Sequence, residues 1–272
     1  MEVVMSIVRP PAVAGMFYPA EPKQLAHDVQ QLLFGARPFD LMPKALIVPH
    51  AGYIYSGAIA ATAYATLRHD AAHIRRVVLL GPTHRVAVRG LALPSTDAFD
   101  TPLGRVMLDT AATLAINHLP QVSVNAQAHA LEHSLEVQLP FLQSVLSDFT
   151  LLPLAVGLAN GEEVAEVLEA VWGGDETLIV ISSDLSHYLP YATAQLVDAQ
   201  TADKILHLKQ PIAHDHACGG TPISGLIVAA RNHHLKPHLL DLRNSGDTAG
   251  SHDQVVGYAA FAFTEEKDHV QH

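Results

Sequence analysis

Three histidines in this chain stand just past short, apolar, β-branched runs. Ala45-Leu46-Ile47-Val48-Pro49 leads straight into His50. Val77-Val78-Leu79-Leu80 passes through Gly81-Pro82-Thr83 to His84. Leu178-Ile179-Val180-Ile181 passes through Ser182-Ser183-Asp184-Leu185-Ser186 to His187. Runs of this kind read as buried strands of a parallel sheet. Ligands of open α/β sheets bind outside the carboxyl ends of such strands. Imidazoles delivered to one sheet edge are what a transition-metal site needs. Imidazole also titrates near neutral pH and serves as a general acid or base. Each of the three sits among Gly, Pro, Ser or Thr, which let the backbone turn sharply.

The solitary cysteine adds to this set. Cys218 stands in Ala217-Cys218-Gly219-Gly220-Thr221-Pro222-Ile223. Thr221 suits a helix N-cap and Pro222 a first helical position. The thiol is therefore expected just before a helix N-terminus, where the partial positive charge favours a thiolate. Such a thiolate serves either as a metal ligand or as a nucleophile. Glu132-His133-Ser134 precedes another helical pattern. Glu132 and His133 could point to the same edge from a helix start, or Glu132 could merely complement the helix dipole. His214 and His216 flank Asp215 as a weaker alternative ligand pair. His69, His73, His233, His234 and His238 read as surface residues.

Strands and helices must position these groups. Strands are expected over Ala45 to Val48, Arg76 to Leu80, Thr150 to Val156, Thr177 to Ile181, His238 to Leu242 and Val255 to Phe263. Helices are expected over Gly57 to Leu67, His133 to Leu146, Glu162 to Val171, Ala192 to Leu208 and Thr221 to Arg231. Pro140 predicts a kink or early break within the second of these helices. Gly90 to Met107 departs from the rhythm and suggests a short antiparallel excursion at one edge. The alternation predicts an α/β fold, a three-layer α/β/α sandwich around a largely parallel or mixed sheet. No linker divides the chain, so one domain spanning 1–272 is expected. A loose N-terminal arm and a flexible tail after about 264 would flank it.

Composition narrows the function. Hydrophobic residues make up 49% of the 272, which supports a core and excludes a disordered chain. One Cys excludes an internal disulfide. Lys and Arg total 16 against 27 Asp and Glu, so a nucleic-acid partner is not expected. No apolar run approaches the roughly 18 residues of a spanning helix, and the N-terminus lacks a signal-peptide pattern. A reduced, cytoplasmic protein with no membrane association is the resulting expectation.

Taken together, the motifs resemble the Memo-like protein family. The matching segments are Gly15-Met16-Phe17-Tyr18-Pro19, Pro49-His50-Ala51-Gly52-Tyr53, Gly81-Pro82-Thr83-His84, Glu132-His133-Ser134-Leu135-Glu136, Ser182-Ser183-Asp184-Leu185-Ser186-His187, Cys218-Gly219-Gly220-Thr221-Pro222-Ile223 and Val256-Gly257-Tyr258-Ala259-Ala260. They run in the family's order along nearly the whole chain. The resemblance implies a fold related to class III extradiol ring-cleaving dioxygenases, which hold iron with two His and one carboxylate. It implies metal ligands at His50, His84 and Cys218, with His187 close by. A thiolate in place of the carboxylate makes copper or zinc conceivable beside iron. It also implies a possible association with a radical-SAM protein and an AMMECR-like protein.

The first reading is a metal-dependent redox enzyme acting on a small-molecule or peptide ligand. His187 would be the general acid/base, Asp184 and Glu132 would orient imidazoles, His133 would line the pocket, and Tyr53 and Tyr55 would contact substrate. A second reading makes Cys218 the nucleophile of a hydrolase or transferase, with His187 or His50 as base. A third keeps the cleft as a non-enzymatic binding site.

Overall fold

The computed structural model describes residues 6–69 and 71–265. Its elements in chain order are β1 (Val8–Arg9), α1 (Pro22–Gly35), β2 (Pro43–Val48), α2 (Tyr53–Tyr64), β3 (Arg76–Pro82), β4 (Leu91–Leu93), β5 (Ala98–Thr101), β6 (Gly104–Met107), α3 (Thr110–Ile116), β7 (Val122–Val124), α4 (Ala126–Ala130), α5 (Leu139–Val145), β8 (Thr150–Val156), α6 (Gly161–Ala170), β9 (Thr177–Ser182), β10 (His187–Leu189), α7 (Tyr191–Leu206), α8 (Gly220–Asn232), β11 (Leu235–Asn244) and β12 (Val255–Glu265).

Among the described residues, nine strands form one sheet in the order β10-β12-β2-β9-β3-β8-β4-β7, with β11 paired to β12. Its centre, β2-β9-β3-β8, is parallel. Antiparallel pairings flank it: β12 on β2, β11 on β12 and β4 on β8. A parallel centre must be covered on both faces, and alternate residues of β2 divide accordingly. Leu46 and Val48 pack with Leu25 of α1, Ile59 of α2 and Phe141 of α5. Ala45 and Ile47 pack with Val164 of α6, Ile205 of α7 and Leu226 of α8. The expected three-layer sandwich is the fold, and its sheet is mixed.

Several local expectations change. The N-terminal arm is not loose from residue 6 onward. β1 pairs with β5, and α1 is a regular helix that opens on Glu21, whose carboxylate accepts from the Gln24 N–H at 2.8 Å. Leu25, Val29 and Leu33 recur at four-residue spacing and are buried, each contributing about 1.5–3 kcal/mol. The arm is anchored by Glu136, which is fully buried. It accepts from Arg9 at 2.7 Å, from the Ala12 and Val13 N–H groups at 2.7 and 2.9 Å, and from the Tyr18 hydroxyl at 2.6 Å.

No single helix covers His133 to Leu146. A turn and a 3₁₀ stretch, Glu136–Gln138, precede α5, and Pro140 lies in its first turn, where a missing N–H costs nothing. Leu91–Leu93 belongs to the main sheet, whereas β6 closes a hairpin on β5 in a separate three-stranded sheet. The expected tail lies outside the described residues beyond Glu265, the last residue of β12.

Candidate metal centre

β2, β9 and β3 are neighbours in the sheet, so the segments leaving their carboxyl ends converge. His50 and His84 follow β2 and β3 by two residues and flank the segment leaving β9. His133 reaches the same point from the loop between α4 and α5. One ligand atom from each of His50, His84 and His133 lies within 4.8 Å of the others. The His84 and His133 rings stack with centroids 4.6 Å apart, and His50 meets both rings edge-on at 5.2 and 5.4 Å.

Glu132 holds the ring of His84 and the backbone of His133. Its Oε1 accepts from His84 Nδ1 at 2.8 Å and its Oε2 accepts from the His84 N–H at 2.6 Å. Oε1 also accepts the N–H groups of His133 and Ser134 at 3.0 Å, and His133 Nδ1 lies 3.3 Å away. Burial raises the pKa of this carboxyl, but the bonds from His84 and Ser134 outweigh it and hold it at about 2. An ionised carboxylate only accepts, so His84 presents Nδ1–H to Glu132 and keeps Nε2 free. Burial, then the neighbouring imidazoles, pushes His50 well below the usual histidine range. Burial, then His84, brings His133 to about 4. Both rings are therefore neutral at neutral pH, the state in which imidazole binds a metal.

Asp184 holds backbone rather than a ring. Its Oδ1 accepts from the His50 N–H at 2.7 Å. Burial raises its pKa to about 7 against the bonds from His50 and Ala51. His50 Nδ1 instead meets Ser182 Oγ at 2.8 Å.

Cys218 Sγ lies 3.3 Å from His50 Nε2, but Cys218 is not part of the three-imidazole group. It lines a separate cavity of about 400 Å³ with His214, Thr83 and Thr221. Gly219, not Thr221, caps α8; it has no capping side chain, and its own N–H donates to Ser183 Oγ at 2.9 Å. A Cβ on Gly219 would sit 2.7 Å from Ser183 Cβ, and one on Gly220 would sit 2.5 Å from the Ile212 carbonyl oxygen. The paired glycines thus allow the close approach that seats Cys218 beside His50. The expected thiolate is overturned for the metal-free protein. Burial, then Asp184, pushes the thiol up to about 12.

A cleft of about 550 Å³ opens over the histidine group. His187, Tyr55, Tyr188, Tyr258 and Phe17 are among its walls. Tyr53 is not. Its ring packs on Phe141, and its hydroxyl donates to the Val137 carbonyl at 2.8 Å, so it braces the core beside the cleft. Sequence reasoning gave no role to Phe17, whose ring lies 4.7 Å from that of His133, although its motif was visible. Tyr188 was missed as well. It is a non-glycine residue at φ 56° and marks an irregularity in the β10–β12 pairing, which sequence spacing does not reveal.

Residues 9–262 match the family model described as Memo-like protein. The chain is 38% identical over 269 residues to a MEMO1 family protein of Aquifex aeolicus, covering 94% of this chain and 99% of that one. It is 35% identical over 270 residues to one of Methanosarcina barkeri, covering 93% and 98%. Among solved structures, an uncharacterized protein, JW3007 from Escherichia coli K12, aligns with a TM-score of 0.52 at 12% identity. That alignment covers 81% of this chain and 99% of the other, a likeness of fold alone.

Proposed function

Because this chain belongs to the Memo-like protein family, we propose that it is a metal-dependent redox enzyme. The observation that carries the reading is the convergence of His50, His84 and His133, with ligand atoms within 4.8 Å, at the floor of an open cleft. The donor set fits a transition ion. Two of its imidazoles are held neutral by burial, and His84 has Nδ1 occupied by a carboxylate so that Nε2 can bind. The imidazoles suit iron, and Cys218, within reach as a fourth, softer donor, admits copper or zinc beside it. When bound, such an ion would supply redox or Lewis-acid activation of an oxygen-bearing ligand.

The chain's own residues would do the rest. Glu132 fixes the direction of the His84 ring and anchors the backbone of His133. Phe17 and Tyr55 narrow the cleft. Burial lowers the pKa of His187 from its ordinary value, which favours the neutral imidazole; from the cleft wall that ring would accept a proton from a bound ligand and return it. Oxygen uptake by Fe(II)-loaded protein over a panel of small phenols and catechols tests the reading. Uptake that needs His84 and falls in His187→Ala supports it. Metal binding with no uptake on any of them would favour a binding module.

The 3.3 Å contact between Cys218 and His50 favours, as a second reading, a cysteine nucleophile with His50 as base. Two effects oppose it. The thiol is raised and the imidazole lowered, so a thiolate–imidazolium pair is disfavoured on both sides. Alkylation separates the readings. A free nucleophile reacts equally with and without metal, whereas a ligand thiolate is protected once metal is bound.

A further inference from the structure

A line of buried side chains leads from the interior to His50. The Tyr64 hydroxyl donates to Gln138 Oε1 at 2.9 Å. Gln138 Nε2 donates to the Pro49 carbonyl and to Ser182 Oγ, both at 2.9 Å. Ser182 Oγ donates to the Ser134 carbonyl at 2.6 Å, and His50 Nδ1 lies 2.8 Å from Ser182 Oγ. Tyr64, Gln138, Ser134 and Ser182 have no exposed surface and His50 only 1%, so water does not compete for these contacts.

Two backbone carbonyls fix the direction of every bond in this line. A carbonyl oxygen only accepts. Pro49 therefore requires the Gln138 nitrogen to face it, which leaves Oε1 for Tyr64 and sends the second amide hydrogen to Ser182. Ser134 likewise requires the single Ser182 hydrogen. Ser182 Oγ, already accepting from Gln138, has one lone pair left, and it faces His50 Nδ1. A hydrogen on Nδ1 satisfies that contact. A bare Nδ1 would leave two lone pairs opposed at 2.8 Å in a buried site.

We propose that Ser182, oriented by the Ser134 carbonyl, is a positioning residue that holds His50 as its Nδ1–H tautomer and turns the Nε2 lone pair toward Cys218 and the histidine group. Its role in metal binding rests on the reading of the centre given above. The tautomer itself does not, because the network is complete without an ion. In the metal-free protein, the Cys218 S–H is then free to donate to Nε2 across the 3.3 Å contact.

The test is the two-bond ¹H–¹⁵N correlation of histidine-labelled, chelator-treated protein at pH 8, with His50 assigned by the resonance lost in His50→Asn. The proposal expects a protonated-type Nδ1 and an unprotonated-type Nε2. Ser182→Ala should convert His50 to the Nε2–H form and Ser182→Thr should restore it. Gln138→Met should keep the Nδ1–H form, because the Ser134 carbonyl still takes the serine hydrogen at 2.6 Å and leaves Ser182 Oγ to accept from His50; an Nε2–H form in that variant would also count against the proposal. An Nε2–H form in the wild type, or no change in Ser182→Ala, would overturn the proposal. The spectrum needs no metal, so a protein that binds none would defeat the metal reading and leave the tautomer decided by its own resonance. Where metal binds, Ser182→Ala should weaken it about 10–100-fold.

Discussion

Cys218 Sγ lies 3.3 Å from His50 Nε2, with its thiol protonated up to about pH 12. A metal that takes Cys218 as a ligand must displace that proton. One proton should be released per ion bound, and affinity should rise about tenfold per pH unit between pH 7 and 9. His50 and His133 are already neutral there and add no slope. Calorimetry in buffers of different ionisation enthalpy counts the protons. Cys218→Ser should abolish the slope. A flat wild-type curve would remove Cys218 from the ligand set.

Glu132→Gln should lower metal affinity about 10–100-fold, because an amide no longer fixes the His84 ring and the His133 backbone as a carboxylate does. It should also change the acid limb of stability. The folded-state pKa of Glu132, about 2, lies below its ordinary 4.5. Its contribution is therefore complete above about pH 4.5 and is lost as pH falls through about 2. Urea midpoints between pH 2 and 5 should fall less steeply in Glu132→Gln than in the wild type. Parallel curves would contradict the assigned ionisation.

Asp184 should act in the opposite direction. Its pKa is raised to about 7, so the folded state holds the proton more tightly than the unfolded chain. Stability should decline as pH rises from about 4 to about 7 and level off above. Asp184→Asn keeps an oxygen to accept from the His50 N–H and should lose that decline in metal-free protein. Denaturant titrations across this range decide the point, and an unchanged decline in the variant would count against it.

The Arg9–Glu136 pair ties the N-terminal arm to the core, with side chains 4% and 0% exposed. Removing one partner of a buried pair leaves the other charge uncompensated, so Arg9→Met should cost about 3–5 kcal/mol. Arg9 also donates to the Glu132 carbonyl at 2.8 Å. The variant should therefore weaken metal binding too, although Arg9 touches none of the three imidazoles. Equilibrium unfolding gives the first effect and metal titration the second.

The places of His50 and His84 were legible in the sequence because a parallel sheet gathers strand ends, and each strand was marked by an unbroken apolar run. Glu132 follows no strand, and its spacing left a site role and a helix-dipole role equally open. His133 was visible but was placed in a helix, since apolar spacing around Leu135, Leu139 and Leu142 imitates one. Its place in the three-imidazole group depends on the turn that precedes α5. α1 was not read from the sequence, although Pro22 and the four-residue spacing of Leu25, Val29 and Leu33 mark a helix there. The state of Cys218 was not legible. A helix N-terminus favours a thiolate, yet burial beside Asp184 outweighs it, and burial is a property of the assembled fold. Tyr53 lies away from the cleft for a related reason: at about 3.6 residues per turn, two positions along α2 put Tyr53 and Tyr55 on opposite faces, and Tyr55 took the cleft.

Elemental analysis of protein purified without an affinity metal and reloaded anaerobically with Fe(II) bears most directly on the metal centre. About one ion per chain is expected, with loss of most of it in His50→Ala and in His84→Ala, and retention in His214→Ala. Wild-type protein that retains no ion, or a His50→Ala/His84→Ala double variant that retains a full complement, would contradict it.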